Sequence, residues 1–387
     1  MLYVGKNIEN DEDLYIDDSK SRAILICGKR GSGKSYTLGV LAEEIFKAQN
    51  NIILIIDPMG IYHTMSLPNN QQEKVVWEWG MNPKGFPVTV FVPGDPVNRY
   101  GGEDIVHEME NRGVKFQSLK INPSDVSPES WCESFKFSIN DPPGIALHKA
   151  IRKCKIKLKR DYFIPDIIEA IEYDTRAANQ TKDALINRLE SSREWDIFEE
   201  SRYKEFWETL SNSSINILDL STIDSGRYGR RPLIVSVLCK DLFFKRSIAK
   251  RREELKLPAD MPKIWLLIDE AHQYIPAGKS SLSKETLIRW VKEGRQPGLS
   301  LVIASQQPSA IDSEVLSQCD TIISHVITTT DDKNALNKLT KDYMKGELRT
   351  YINKISRVGD AIIVDDFKEI VCRTRVRPLA SKPGGSE

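Results

Sequence analysis

Short runs of apolar residues recur along the chain and alternate with segments whose apolar residues have helical spacing. A continuous apolar run of about four to eight residues is typical of a strand buried on both faces of a parallel sheet. We therefore predict strands at residues 23–27, 52–56, 88–92, 215–220, 265–268, 299–304 and 321–323. Helical spacing predicts helices at 36–48, 233–248 and 283–292. Strands alternating with helices indicate an α/β fold with a mainly parallel sheet and right-handed crossovers.

The pattern changes between about residues 100 and 210, where it predicts helices at 131–137, 145–158, 164–173 and 182–189. We interpret this stretch as a largely helical insertion in the core. One of its segments, residues 152–160, carries six positive charges in nine positions. Such a run can contact a phosphate backbone or can form a solvated helix face, and the residues alone favour neither.

The ends of the chain differ from the core at residues 21–330. Residues 1–20 hold a short strand-like segment with room for a hairpin. Residues 331–387 form a C-terminal segment that is strand-rich at 361–377, and composition predicts a flexible tail at 381–387.

Composition narrows the class of protein. The 387 residues are 40% hydrophobic and 28% charged, which is typical of a soluble globular chain. No apolar run approaches the roughly 20 residues needed to span a bilayer, and no signal peptide is visible. The six cysteines are scattered, so we expect free thiols in a reducing cytoplasm. A net charge of zero is unusual for a dedicated nucleic-acid-binding domain, although a ring can gather its positive charge inside a channel.

The first predicted strand and helix are joined by a glycine-rich loop, residues 28–35, whose spacing is that of a phosphate-binding loop. Glycines let backbone N–H groups curl around a phosphate at the positive end of a helix. The lysine then reaches the β- and γ-phosphates, and the serine hydroxyl holds Mg²⁺. ATP and Mg²⁺ are therefore the expected cofactors. The predicted nucleotide-binding residues are Gly28, Gly31, Ser32, Gly33, Lys34, Ser35 and Tyr36, with Ser35 also a metal ligand.

A second group of polar residues follows later strands. Asp269 and Glu270 end an apolar run, where the first carboxylate supports Mg²⁺ and the second orients or deprotonates the attacking water. Gln306 follows the next strand and can sense the γ-phosphate. Arg295, on the loop before that strand, can reach a neighbouring subunit's nucleotide. The predicted catalytic residues are thus Glu270, Lys34, Gln306 and Arg295, and Asp269 is a predicted metal ligand. The alternatives are an acidic turn, a surface amide and a surface arginine. Asp57 can be a nucleotide-site carboxylate or a turn residue.

With these residues in place, the chain resembles the HerA branch of the HerA–FtsK family of ring ATPases. The resemblance covers most of the chain and is carried by residues 28–35, 57–60, 268–272, 293–309 and 315–320, with 375–378 and 384–385 at the end. It implies a RecA-like core assembled as a homohexamer around a DNA channel. It also implies ATP-driven translocation on double-stranded DNA with a partner nuclease, or with an effector enzyme in anti-phage defence.

The sequence departs from the family pattern in three places. The family's long form begins with a β-barrel domain, whereas here only about 20 residues precede the core, which puts the usual docking surface in doubt. Ile61 and Gln307 stand where glutamate and arginine are frequent. Neither change removes a phosphate or Mg²⁺ ligand, so hydrolysis is still expected.

We therefore predict a cytoplasmic hexameric DNA-translocating ATPase. One alternative is a nucleotide-dependent ring scaffold that regulates an effector enzyme without moving along DNA. Another is a DNA-packaging or conjugation motor, which would favour a membrane anchor or a portal-binding tail.

Overall fold

All seven predicted strands are present and lie in one sheet. The computed structural model describes residues 1–158, 162–199, 205–224, 229–340, 344–352, 354–355 and 357–385. Lys159 and Arg160 of the predicted basic run lie outside the described residues. The strands are β1 Leu2–Asn7, β2 Asp13–Ile16, β3 Ala23–Cys27, β4 Asn51–Asp57, β5 Val88–Pro93, β6 Val114–Leu119, β7 Ile215–Asp219, β8 Lys263–Ile268, β9 Leu299–Ser305, β10 Thr321–Ser324, β11 Asp360–Asp365 and β12 Ile370–Val376.

The order of strands in the sheet is β2-β1-β12-β11-β10-β3-β9-β8-β4-β7-β5-β6. Every pair from β10 to β6 is parallel, whereas β11, β12, β1 and β2 extend the sheet as antiparallel neighbours. Carboxyl ends of parallel strands meet at one edge of a sheet, so the polar residues that follow β3, β9, β8 and β4 are brought together there. The fold class predicted from the sequence is confirmed.

Helices cover both faces of the sheet. They are α1 Lys34–Lys47, α2 Glu73–Glu78, α3 Pro96–Tyr100, α4 Glu103–Asn111, α5 Pro128–Phe135, α6 Pro142–Leu158, α7 Ile164–Glu172, α8 Asn179–Arg193, α9 Phe206–Thr209, α10 Arg230–Glu254, α11 Lys284–Glu293, α12 Ser313–Leu316, α13 Thr330–Leu339 and α14 Lys345–Ile352. One core contains the buried side of α1, and the other contains residues of α5–α8, α10 and α11. No helix in the described part of the chain has the length and apolar character needed to cross a bilayer.

The sequence analysis missed one strand in the stretch between residues 100 and 210. Strand β6 pairs in parallel with β5 and forms an edge of the sheet. Its interior residues are exposed or partly buried, and three of its six residues, Lys115, Gln117 and Ser118, are polar, so it lacks the apolar run that marks the other parallel strands. Two helices, α13 and α14, also precede the predicted strands of the C-terminal segment. The proposed division into an N-terminal segment, a core with an insertion and a C-terminal segment stays a prediction.

The end of the chain, including the first residues of the tail predicted to be flexible, packs against the core. Residues 377–384, which we call the strap, pack first against α1 and then against the segment that follows β4. Arg377 is fully buried and its guanidinium lies 2.9 Å from carboxylate oxygens of both Glu43 and Glu44. Glu43 also accepts hydrogen bonds from the backbone N–H and the hydroxyl of Ser381, at 2.8 and 2.7 Å. The small, polar composition of residues 381–387 suggested flexibility, whereas Ser381 helps to satisfy a carboxylate that α1 buries.

We predict that Arg377→Ala destabilises the protein by about 3–5 kcal/mol, because removing one partner of a buried ion pair leaves an uncompensated charge in the core. The measurement is the free energy of unfolding in urea. Arg112→Ala is the matched control, since Arg112 forms an exposed pair with Glu108 at 2.7 Å and should change stability by about 1 kcal/mol or less. Similar losses in the two variants would contradict a structural role for the strap.

Candidate nucleotide-hydrolysis site

The glycine-rich loop has the backbone conformation that a phosphate cradle requires. Gly28 has φ 152°, and a Cβ there would lie 2.6 Å from the Ser32 hydroxyl and 2.7 Å from the Cβ of His325. Gly33, with φ 109°, is the left-handed residue directly before α1. Only glycine accommodates both the conformation and the close approach. The loop therefore presents its backbone N–H groups at the start of a helix, which is a ready anion site.

Lys34 is held inside this loop. Its side chain is buried, and its ammonium donates a hydrogen bond to the Lys29 carbonyl at 3.1 Å. Burial lowers the pKa of the Lys34 ammonium, while the carboxylates of Glu270 and Asp269 act in the opposite direction. Ser32 donates to the same carbonyl of Lys29 at 2.7 Å. The lysine thus lies between the loop and the two acidic residues that follow β8.

Ser35 and Asp269 meet as the sequence predicted for a metal pair. The Ser35 hydroxyl donates a hydrogen bond to Oδ2 of Asp269 at 2.8 Å. The hydroxyl of Tyr62 donates to the same oxygen, also at 2.8 Å. Hydroxyl and carboxylate oxygens are the donors that Mg²⁺ prefers. The donor set therefore fits Mg²⁺, with Tyr62 holding the orientation of the carboxylate.

Glu270 and Gln306 also lie side by side, because β9 is the strand between β3 and β8. Nε2 of Gln306 donates to Oε1 of Glu270 at 2.5 Å. Oε2 of Glu270 is buried and has no hydrogen-bond partner; the Nδ1 atom of His272 lies 3.4 Å away. Glu270 has a left-handed backbone with φ 48°, which costs a non-glycine residue on the order of 1 kcal/mol. A carboxylate oxygen without a hydrogen-bond partner beside the loop is suited to orienting water.

Two further carboxylates extend this acidic edge. Asp57 accepts hydrogen bonds from the backbone N–H groups of Met59, Gly60 and Tyr62 at 2.8–3.0 Å, so it shapes the turn after β4. Burial, together with the negative charge of Asp219, raises the pKa of the Asp57 carboxyl to about 7. Both interpretations of Asp57 thus apply: it is a turn residue, and it lies among the carboxylates of the edge.

Asp219, at the end of β7, accepts a hydrogen bond from the hydroxyl of Tyr100 at 2.5 Å. The carboxylates that end β7 and follow β8 therefore each have a buried or half-buried tyrosine as donor, Tyr100 for Asp219 and Tyr62 for Asp269. Only the second of these pairs also includes the Ser35 hydroxyl.

Two predicted residues have side chains away from this cluster. The hydroxyl of Tyr36 donates to Gln72 at 2.9 Å and accepts the Leu379 N–H at 2.8 Å, so the side chain contacts the strap. Arg295 is exposed in the turn before β9, at the amino edge of the sheet, with its guanidinium 5.8 Å from the ring of Phe367. The seven-residue length of β9 separates it from the hydrolysis site by about 20 Å.

Sequence reasoning missed three residues of the site. Tyr62 and Tyr100 carried no signal, since neither follows a predicted strand. His325 directly follows β10 and lies beneath the glycine-rich loop. The rule that drew attention to Gln306, a polar residue directly after a buried strand, would have found His325 as well.

The family model for the central domain of the helicase HerA matches residues 2–242, more than half of the chain. The chain belongs to this family. It is therefore a P-loop ATPase, and the resemblance drawn from the motifs is confirmed. A DNA double-strand break repair helicase HerA from Sulfolobus acidocaldarius is 23% identical over 99% of this chain and 70% of its own length. A probable DNA double-strand break repair helicase HerA from Methanocaldococcus jannaschii is 25% identical over 95% of this chain and 76% of its own length.

Solved structures agree on the fold. VirB4 of Thermoanaerobacter pseudethanolicus superposes with a TM-score of 0.61 at 14% identity and covers 97% of this chain and 96% of its own. The plasmid coupling protein TrwB, in complex with a non-hydrolysable ATP analogue, gives a TM-score of 0.53 at 13% identity, covering 96% and 88%. The RecA-like core expected for this family member is therefore confirmed.

We predict that Tyr62→Phe raises the Mg²⁺ concentration for half-maximal ATP hydrolysis by about tenfold or more, because residues that orient a metal ligand typically contribute about 10–100-fold. The measurement is the ATPase rate as a function of Mg²⁺ concentration. Tyr100→Phe is the matched control, since it removes a hydroxyl from the neighbouring Asp219, which has no contact with Ser35. An equal response of the two variants would show that the hydroxyl of Tyr62 has no special relation to the metal.

Proposed function

We propose that this chain is a hexameric motor that hydrolyses ATP and translocates on double-stranded DNA together with a partner nuclease or anti-phage effector. The HerA helicases that it resembles are named for DNA double-strand break repair, which supports DNA as the substrate of movement. Ser35 and Asp269 hold Mg²⁺, and Glu270 activates the attacking water. Gln306 senses the γ-phosphate through its contact with Glu270, while Lys34 neutralises the phosphates.

The proposal that the subunits assemble into a ring rests on the position of Arg295. It is exposed at the amino edge of the sheet, about 20 Å from the hydrolysis site of its own chain. An arginine there can stabilise transition-state charge only on the nucleotide of a neighbouring copy. Arginines supplied in this way contribute about 10³–10⁵ to turnover in other NTPases. A ring of identical subunits gives every site such a neighbour.

Helix α6 supports contact with a phosphate backbone. Four described residues of the basic run, Arg152, Lys153, Lys155 and Lys157, are exposed. The apolar residue among them, Ile156, is also 75% exposed. Binding of a positively charged, accessible helix face to nucleic acid is favourable, because the face neutralises phosphates and releases their counterions.

A net charge of zero favours a second candidate, a nucleotide-dependent ring scaffold that assembles an effector enzyme without processive movement. The two candidates share the hydrolysis site and differ in their response to DNA. A motor couples hydrolysis to DNA contact, whereas a scaffold hydrolyses ATP at a rate that DNA does not change.

We predict that linear double-stranded DNA stimulates ATP hydrolysis and that DNA affinity falls steeply with salt. In the variant with Lys153, Lys155 and Lys157 replaced by Ala, the plot of log affinity against log salt should flatten by about one unit for each phosphate that is no longer neutralised. The measurements are the ATPase rate with and without DNA and the dissociation constant at several salt concentrations.

The charge-matched control replaces three exposed lysines away from α6, namely Lys74, Lys115 and Lys256. This control should leave the salt dependence unchanged. Hydrolysis that is indifferent to DNA would favour the scaffold. Stimulation by DNA with equal slopes in both triple variants would remove α6 from the DNA contact.

A further inference from the structure

His325 is a buried histidine that the proposed chemistry does not use. Its side chain is 2% exposed, although a neutral imidazole still needs a donor and an acceptor as partners. The Nε2 atom lies 2.8 Å from the Thr37 hydroxyl, and Nδ1 lies 3.0 Å from the Asp360 carbonyl oxygen. Both ring nitrogens are therefore satisfied, each by a different element of the fold.

The partner chemistry determines the tautomer. The Asp360 carbonyl can only accept, so Nδ1 carries the proton and Nε2 accepts from the Thr37 hydroxyl. Burial lowers the pKa of His325 to about 4, and the positive charge of Lys34 acts in the same direction. The imidazole is thus neutral near pH 7, the state in which it can make both hydrogen bonds.

His325 also supports the phosphate-binding loop from below. A Cβ on Gly28 would approach the Cβ of His325 to 2.7 Å, and one on Gly33 would lie 3.5 Å from its ring. The adjacent backbone is tied to the loop, since the Lys29 N–H donates to the Val326 carbonyl at 2.8 Å. The loop therefore rests on this residue at its first and last glycines.

The two partners of His325, Thr37 and Asp360, connect it to the helix after the loop and to the C-terminal strands. Thr37 is fully buried in the first turn of α1, and its backbone N–H closes onto the Gly33 carbonyl at 2.9 Å. Asp360 begins β11, and its carboxylate pairs with Arg375 of β12 at 3.0 Å. A shift of the imidazole would therefore move the start of α1 relative to β11.

We propose that His325 is a positioning residue for ATP, which fixes the phosphate-binding loop by bridging the Thr37 hydroxyl and the Asp360 carbonyl. This inference rests on the ATPase activity and is independent of DNA or ring assembly. The bridge sets where the loop N–H groups and the ammonium of Lys34 meet the phosphates. Its loss weakens nucleotide binding, whereas a role in stability alone would lower the amount of folded enzyme and leave KM unchanged.

The test separates the two hydrogen bonds. His325→Asn keeps a donor near Nδ1 for Asp360 and loses the acceptor for Thr37, whereas His325→Gln can place an acceptor near Nε2. Thr37→Val removes the hydroxyl with little change of shape. We expect His325→Asn and Thr37→Val each to raise the KM for ATP and the dissociation constant for ADP by about tenfold, the scale of supporting residues in other sites. His325→Gln regains the acceptor for Thr37 but loses the donor to Asp360, so it should recover only part of this loss.

The double variant His325→Asn/Thr37→Val should bind ADP no more weakly than either single variant, because both substitutions remove the same hydrogen bond. Thr89→Val is the matched control, since Thr89 is a buried threonine of β5 whose hydroxyl lies 2.8 Å from that of Ser214, and β5 lies five strands from β3 in the sheet. It should leave KM and ADP affinity unchanged. Unchanged KM and ADP affinity in both single variants, or additive effects in the double variant, would overturn the proposal. ADP affinity is measured without DNA, so failure of the motor proposal would not affect this result.

Discussion

The hydrogen bond from Ser35 to Asp269 joins residues that are 234 positions apart in the chain, and the site depends on this one contact. It forms because β3, β9 and β8 are adjacent and parallel, so that the residues after each strand meet at one edge. The glycine-rich loop supplies the hydroxyl and the lysine, while β8 supplies two carboxylates. Gln306 lies between the loop and these carboxylates because its strand, β9, is between β3 and β8. The order of strands thus determines the chemistry as directly as the motifs do.

The strands and the cluster of Lys34, Ser35, Asp269, Glu270 and Gln306 were predictable because each depends on local sequence. Apolar runs mark strands buried on both faces, and polar residues directly after them mark the edge. Strand β6 was missed because it lies at the edge of the sheet, where its polar interior residues break up the apolar run. Tyr62 and Tyr100 were missed because a tyrosine in a loop carries no sign of which carboxylate it will reach. Their roles follow from tertiary contacts alone.

Buried charges explain why the C-terminal segment is ordered. Glu43 is fully buried on α1, where an unpaired carboxylate would be costly, and Arg377 with the strap satisfies it. At the other end of the same helix, His325 supplies the acceptor for Thr37. The helix that carries the phosphate-binding loop is therefore fixed at both ends by residues from the last third of the chain. Composition alone could not reveal this, since it does not show which buried carboxylate Arg377 or Ser381 will reach.

We propose that each hydrolysis site combines the cluster of one chain with Arg295 of another. The most direct measurement is the ATPase rate of a mixture of two inactive variants, Glu270→Gln and Arg295→Ala, assembled together. Some sites in mixed rings would then pair an intact Glu270 with an intact Arg295 from the neighbouring copy. We expect the mixture to hydrolyse ATP faster than the sum of the two separate variants. A rate equal to that sum would place Arg295 outside the site and rule out catalysis across the subunit interface.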